Sequence, residues 1–149
     1  DSVDVDISKN ILFKNTNIIN SGNDGIDFME STASLEKMTF ESNHDKAISV
    51  GENSKIFVKD SKFKDNKYGI ASKDLSKAII DNCEFDENQT QLSVYKKNWR
   101  YGDSGSIEIK NSNFIAKKND LISDENGEIN IISSNFNGKI LKKGNVNIN

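Results

Sequence analysis

Apolar residues in this chain fall into short alternating pairs and triplets, and these groups return about every 22 residues. The clearest column is aromatic. Phe40, Phe63, Phe85, Phe114 and Phe136 close similar phrases (EKMTF, KDSKF, DNCEF, KNSNF, SSNF), and Ile18 holds the same place in KNTNI; successive steps are 22, 23, 22, 29 and 22 residues. Two other columns keep a constant phase to it. One runs Ile26/Phe28, Ile48/Val50, Ile70, Leu92/Val94 and Leu121, the other Ile11/Phe13, Ala33/Leu35, Ile56/Val58, Ala78/Ile80, Ile107/Ile109 and Ile129/Ile131. A period of two marks a strand with one buried face, and no helical period survives anywhere along the chain. Three short strands per repeat, each meeting its own equivalent one repeat later, predict an all-β parallel solenoid of about six coils.

Polar columns test that register. In a parallel stack, equivalent side chains lie about 4.8 Å apart, so like charges would repel. The column Lys14, Glu36, Lys59, Asp81, Lys110 alternates in sign, and so does Glu41, Lys64, Asp86. Each such surface pair contributes at most about 1 kcal/mol, so these ladders describe a solvated face and carry no chemistry. Asn43, Asn66 and Asn88 recur three residues after the aromatic column, placed to hydrogen-bond along the axis. Gly25, Ala47 and Gly69 recur before the first strand, where little side chain is tolerated.

Composition narrows the function classes. With a net charge of −3 and both signs interleaved, the chain has no basic footprint for nucleic acid and none for an anionic membrane surface. No apolar run is long enough to span a membrane. The wealth of Asn, Lys, Ile and Ser without proline suggests an AT-rich bacterial source. Cys83 is the sole cysteine and shares a column with Thr16, Met38, Ser61, Ser112 and Ser134, which predicts a small buried side chain. His44 is the sole histidine, so neither a histidine-based triad nor a multi-histidine metal site can form, and no metal site is expected from the residues themselves. The Asn88-Gln89-Thr90 sequon is read as a coincidence of an Asn-rich chain. Strand-like sequence runs to both ends, which predicts one domain over 1–149 cut from a larger protein whose other domains would be its neighbours.

One coil departs from the period. About seven extra residues bulge within 95–105, a segment that holds the only Trp, the only Arg and two of the three Tyr. Insertions in repeat proteins map to one face, often the binding face. Tyr95, Trp99, Arg100 and Tyr101 are therefore the candidate ligand-binding residues, with aromatic rings and a cation suited to stacking on sugars or on a partner. The alternative is a lid, with Trp99 and Tyr101 folded over Phe57 or Ile79.

The repeat as a whole resembles the right-handed parallel β-helix of the pectate-lyase-like superfamily, and in particular bacterial β-helix appendage domains with phrases such as those at Ala47–Ser54, Gly69–Asp74 and Val94–Lys97. The resemblance implies right-handedness, which the period alone does not. It also implies a secreted or cell-surface protein, with the periplasm as the alternative. Asn23-Asp24-Gly25-Ile26-Asp27 is similar to the NTDGID motif of polygalacturonase-type glycosidases, but Lys46 stands where the second aspartate of their next motif would be, and Tyr68 replaces their histidine. An enzymatic reading would centre on Asp24, Asp27, Asp45 and Lys46 as a lyase or glycosidase acting on acidic polysaccharide, with calcium as cofactor in the lyase case. The principal expectation is instead a non-catalytic binding module without a cofactor, with a polysaccharide or envelope glycan as ligand. A passive scaffold is the third reading.

Overall fold

The computed structural model describes residues 1–115, 120–141 and 144–149. The chain winds through three parallel sheets. The first stacks Val3–Asp6, Ile26–Met29, Lys46–Gly51, Tyr68–Lys73, Thr90–Tyr95 and Leu121–Ser123. The second stacks Ile11–Lys14, Thr32–Glu36, Lys55–Lys59, Lys77–Asp81, Ser106–Lys110, Glu128–Ile132 and Asn145–Ile148. The third holds Asn17–Ile19, Thr39–Glu41, Lys62–Lys64, Glu84–Asp86 and Asn113–Phe114. Every neighbouring pair is parallel and in the register the repeat predicts, Ile48 opposite Ile26 and Ile70, and Val58 opposite Leu35 and Ile80.

Inward columns make a thin central core. Phe40, Phe63, Phe85 and Phe114 stack ring on ring at centroid separations of 5.2, 4.7 and 5.3 Å. Phe136 breaks the series, standing at 80° to Phe114, and at its third-sheet position the described residues form an isolated bridge, Asn113 to Asn135, instead of the expected strand. The cause is local. The Phe136 amide donates back to the Ser134 carbonyl at 3.1 Å, and the Asn135 side chain, rather than backbone, accepts from the Phe114 amide at 2.8 Å.

Corners are closed by side chains as well as backbone. Asn43 Nδ2 donates to Asn66 Oδ1, and Asn66 Nδ2 to Asn88 Oδ1, each at 2.8 Å. The same oxygens accept the Asn43 and Asn66 amides at 3.0 Å, so the predicted asparagine column satisfies buried backbone groups as well as its own. Asn88 is buried, and its amide nitrogen donates to the Phe63 carbonyl at 3.0 Å. The sequence reading missed a second ladder of this kind, in which the amides of Ser8, Ser31 and Ser54 donate to the hydroxyls of Ser31, Ser54 and Ser76. Cys83 is buried as expected, and burial pushes its thiol up to about 12.

Left-handed backbone recurs at the corners, among others at Asn15, Lys37, Asp60, Asn82, Asn111 and Ser133 in one column, Asn20, Ser42, Asp65 and Glu87 in a second and Ile7, Glu30, Glu52 and Asp74 in a third, with no glycine among the left-handed residues described. Gly25 and Gly69 serve a different need: a Cβ on either would lie 2.5 Å from a carbonyl oxygen of the next coil, Ala47 or Gln91.

Candidate functional site

On the outer face of the first sheet, the middle column of side chains is small: Ser49, Ala71 and Ser93. Lys46, Tyr68 and Thr90 stand on one side of it, and Gly51, Lys73 and Tyr95 on the other. Small residues between large ones leave a cleft of about 480 Å³, lined among others by Asp45, Lys46, Lys67, Tyr68, Tyr95 and Asp124. Tyr68 and Tyr95 sit five residues apart in register, roughly 16 Å along the strand direction.

Buried charge underlies one end. Lys46, only 8% exposed, donates from Nζ to Asp24 Oδ1 at 3.0 Å and Oδ2 at 3.3 Å, and pairs closely with Asp45. Its own backbone amide donates to Asp24 Oδ1 at 2.9 Å, so the Asp24 carboxylate caps the strand and neutralises the ammonium together. Lys67 Nζ closes the network at 3.3 Å from Asp45 Oδ1 and lies over the Tyr68 ring, 5.6 Å from its centroid. Burial alone would lower the Lys46 pKa, but the hydrogen bonds and charges of Asp45 and Asp24 outweigh it and hold it above its ordinary value. Burial would likewise raise Asp45, yet Lys46 and Lys67 keep it below the usual carboxylate range. Burial pushes the Tyr95 hydroxyl up to about 12.

Lys73 lies further down the same face, 3% exposed and resting on Gly51, with Nζ 4.0 Å from Asp27 Oδ1. That separation is too long for a hydrogen bond, and Asp27 Oδ1 and Ser49 Oγ are buried without one. Burial therefore prevails and lowers the Lys73 pKa.

The insertion sits at the corner between the first and second sheets. Ten residues separate Tyr95 from Ser106, where three separate Lys73 from Lys77 one coil earlier. Two carboxylates from the flanking coils hold it. Asp74 Oδ1 accepts the amides of Lys97 and Asn98 at 2.7 and 2.8 Å; Asp124 accepts the Lys96 amide at 2.8 Å and the Ser104 hydroxyl at 2.6 Å. Gly105 lets the returning chain pass over Ser72, whose carbonyl carbon would lie 2.5 Å from a Cβ there. Trp99 projects from the tip, 82% exposed, with the Arg100 guanidinium 5.6 Å from its ring. The lid arrangement is not adopted: the amide clamps keep the loop at the corner, and Phe57 remains exposed on the second sheet.

A family model described as the right handed beta helix region matches residues 1–148. The chain belongs to the right-handed β-helix family. No curated protein and no solved structure gives a significant match. The handedness that the sequence pattern left to resemblance is thus the family's, and the pectate-lyase-like superfamily is consistent with it.

Within this β-helix the predicted residues separate into groups. Asp24, Asp45 and Lys46 converge, but Asp27 does not join them. It occupies the next outward position of its strand, facing Lys73, and its carboxylate is within 4.8 Å of those of Asp1 and Asp4, both exposed. Calcium, which the lyase reading requires, does not fit between Asp24 and Asp45, because the Lys46 ammonium already takes both carboxylates. Of the loop residues, Tyr95 lines the cleft and Trp99 and Arg100 form the loop tip, whereas Tyr101 turns away to Glu30, to which its hydroxyl donates at 2.6 Å. Sequence reasoning noted Tyr68 only as standing in place of the glycosidase histidine and missed its part in the cleft, together with Lys67 and Asp124. The register carried a signal for Tyr68, which directly follows Lys46 in its column.

Proposed function

We propose that this β-helix is a non-catalytic carbohydrate-binding module of a secreted or cell-surface bacterial protein, and that its binding site is the first-sheet cleft with the anchored loop at its rim. The observation that carries this reading is the pairing of Tyr68 and Tyr95 across a floor of small residues, beside an array of paired Lys and Asp groups. Aromatic faces stack on the apolar faces of sugars, and fixed donor and acceptor groups engage their hydroxyls. The side chains are already positioned by the stacked strands, which lowers the ordering cost of binding.

Geometry argues against chemistry at the carboxylates. An ammonium held above its ordinary pKa between two acids is a poor proton acceptor near neutrality, and a carboxyl held below its range is a poor proton donor. The test is a glycan array on the purified domain, with a Tyr68→Ala/Tyr95→Ala variant, a Trp99→Ala variant and a parallel assay for reducing or unsaturated ends. Binding lost in the tyrosine variant without product supports the proposal. Loss only with Trp99→Ala moves the site to the loop tip, product formation assigns an enzyme, and silence leaves a passive scaffold.

A further inference from the structure

Resting on that reading, we infer that the saccharide taken by the cleft is uncharged, and that the site is not built for a uronate or sulfated chain. A polyanionic ligand needs cations that are free to be neutralised. Of the three lysines of the cleft, Lys46 is ion-paired with Asp24 and Asp45 and Lys67 with Asp45, whereas Lys96 Nζ donates to the neutral Gly102 carbonyl at 2.9 Å. Lys96 is the one cation of the cleft without a carboxylate partner among the described residues, too few for a polyanion. Drawing Lys46 toward a ligand carboxylate would strand two acids, Asp45 at the cleft wall and the buried Asp24, only 4% exposed.

The charge balance agrees. The lining sets Lys46, Lys67 and Lys96 against Asp45 and Asp124, and the Asp24 carboxylate bound to Lys46 brings the local sum to zero, while the whole chain at −3 repels a polyanion at long range. The chemistry agrees as well. A carboxylate only accepts hydrogen bonds, whereas a sugar hydroxyl both donates and accepts, and Lys–Asp pairs present both functions side by side. Arg100 is not among the cleft-lining residues; its guanidinium lies over Trp99.

Isothermal titration of the intact domain with cellohexaose, xylohexaose and mannohexaose, against hexagalacturonate and hexaguluronate, tests this. At least one neutral hexaose should bind with a Kd that changes less than about twofold between roughly 50 and 500 mM NaCl. Tyr95→Ala should weaken it about tenfold, while Tyr95→Phe, which keeps the ring, should not. Binding confined to the acidic hexamers, or a Kd that rises more than about tenfold with salt, overturns the inference and leaves the carbohydrate reading standing. Absence of binding by either class, with both variants folded by circular dichroism, overturns the carbohydrate reading itself.

Discussion

The hydroxyl of Tyr101 donates to Glu30 Oε1 at 2.6 Å, joining two residues 71 positions apart. The contact runs down the corner of the solenoid past Glu52 and Asp74, whose charges also bear on the phenol. The hydrogen bond to Glu30, followed by desolvation and these acids, pushes Tyr101 up to about 12. Ultraviolet titration should show its ionisation returning toward the ordinary tyrosine value in Glu30→Gln. The same variant should leave the loop less tethered and speed tryptic cleavage after Lys97 or Arg100, with the clamps at Asp74 and Asp124 intact.

The ion network beneath the cleft predicts a strongly asymmetric mutational response. Lys46→Met leaves two carboxylates facing each other in a poorly hydrated site and should destabilise the domain by about 3 kcal/mol in urea unfolding. Adding Asp24→Asn and Asp45→Asn should recover much of that loss. Equal instability of the single and triple variants would mean that packing, not charge, is at stake.

Acid should expose the same network. Asp45 has a folded pKa below its unfolded value of 3.8, so its contribution is fully present above that value and is lost as pH falls through the folded one. Lys46 has a folded pKa above 10.5, so its share is present below 10.5 and is lost as pH rises beyond it. Thermal melts in the acid limb should therefore be less steep for Asp45→Asn than for wild type.

Lys73 should act in the opposite sense. Its folded pKa is depressed below 10.5, so between the two values the unfolded chain binds more protons and stability rises with pH. Lys73→Met keeps the methylene packing on Gly51 and removes the charge. It should raise stability at neutral pH and abolish the upward slope of unfolding free energy as pH approaches 10.5 from below.

Two glycines should behave unlike each other. A Cβ at Gly105 meets Ser72 backbone at 2.5 Å, whereas one at Gly22 meets nothing within 4 Å. Gly105→Ala should cost about 1–3 kcal/mol and displace the loop, while Gly22→Ala should be close to neutral by urea unfolding.

The aromatic and aliphatic columns, read as a pattern, determined the solenoid, its three strands per coil and its register, because each coil must bury the same positions against its neighbours. The asparagine ladder was legible for the same reason: a residue repeated at constant phase can only meet itself. The position and approximate size of the insertion were equally plain, since seven residues cannot be absorbed by a fixed coil. Only the tertiary structure decided what happens around these columns. Whether Asp24, Asp27 and Asp45 converge depends on which outward position each takes, and a difference of three residues sent Asp27 to Lys73 instead. Tyr101 pairs with Glu30 and Trp99 stays in solvent because Asp74 and Asp124, from coils on either side, fix the loop's direction. A periodic sequence states which residues stack; the path of a non-periodic loop, and the charges it meets, follow from contacts that have no period.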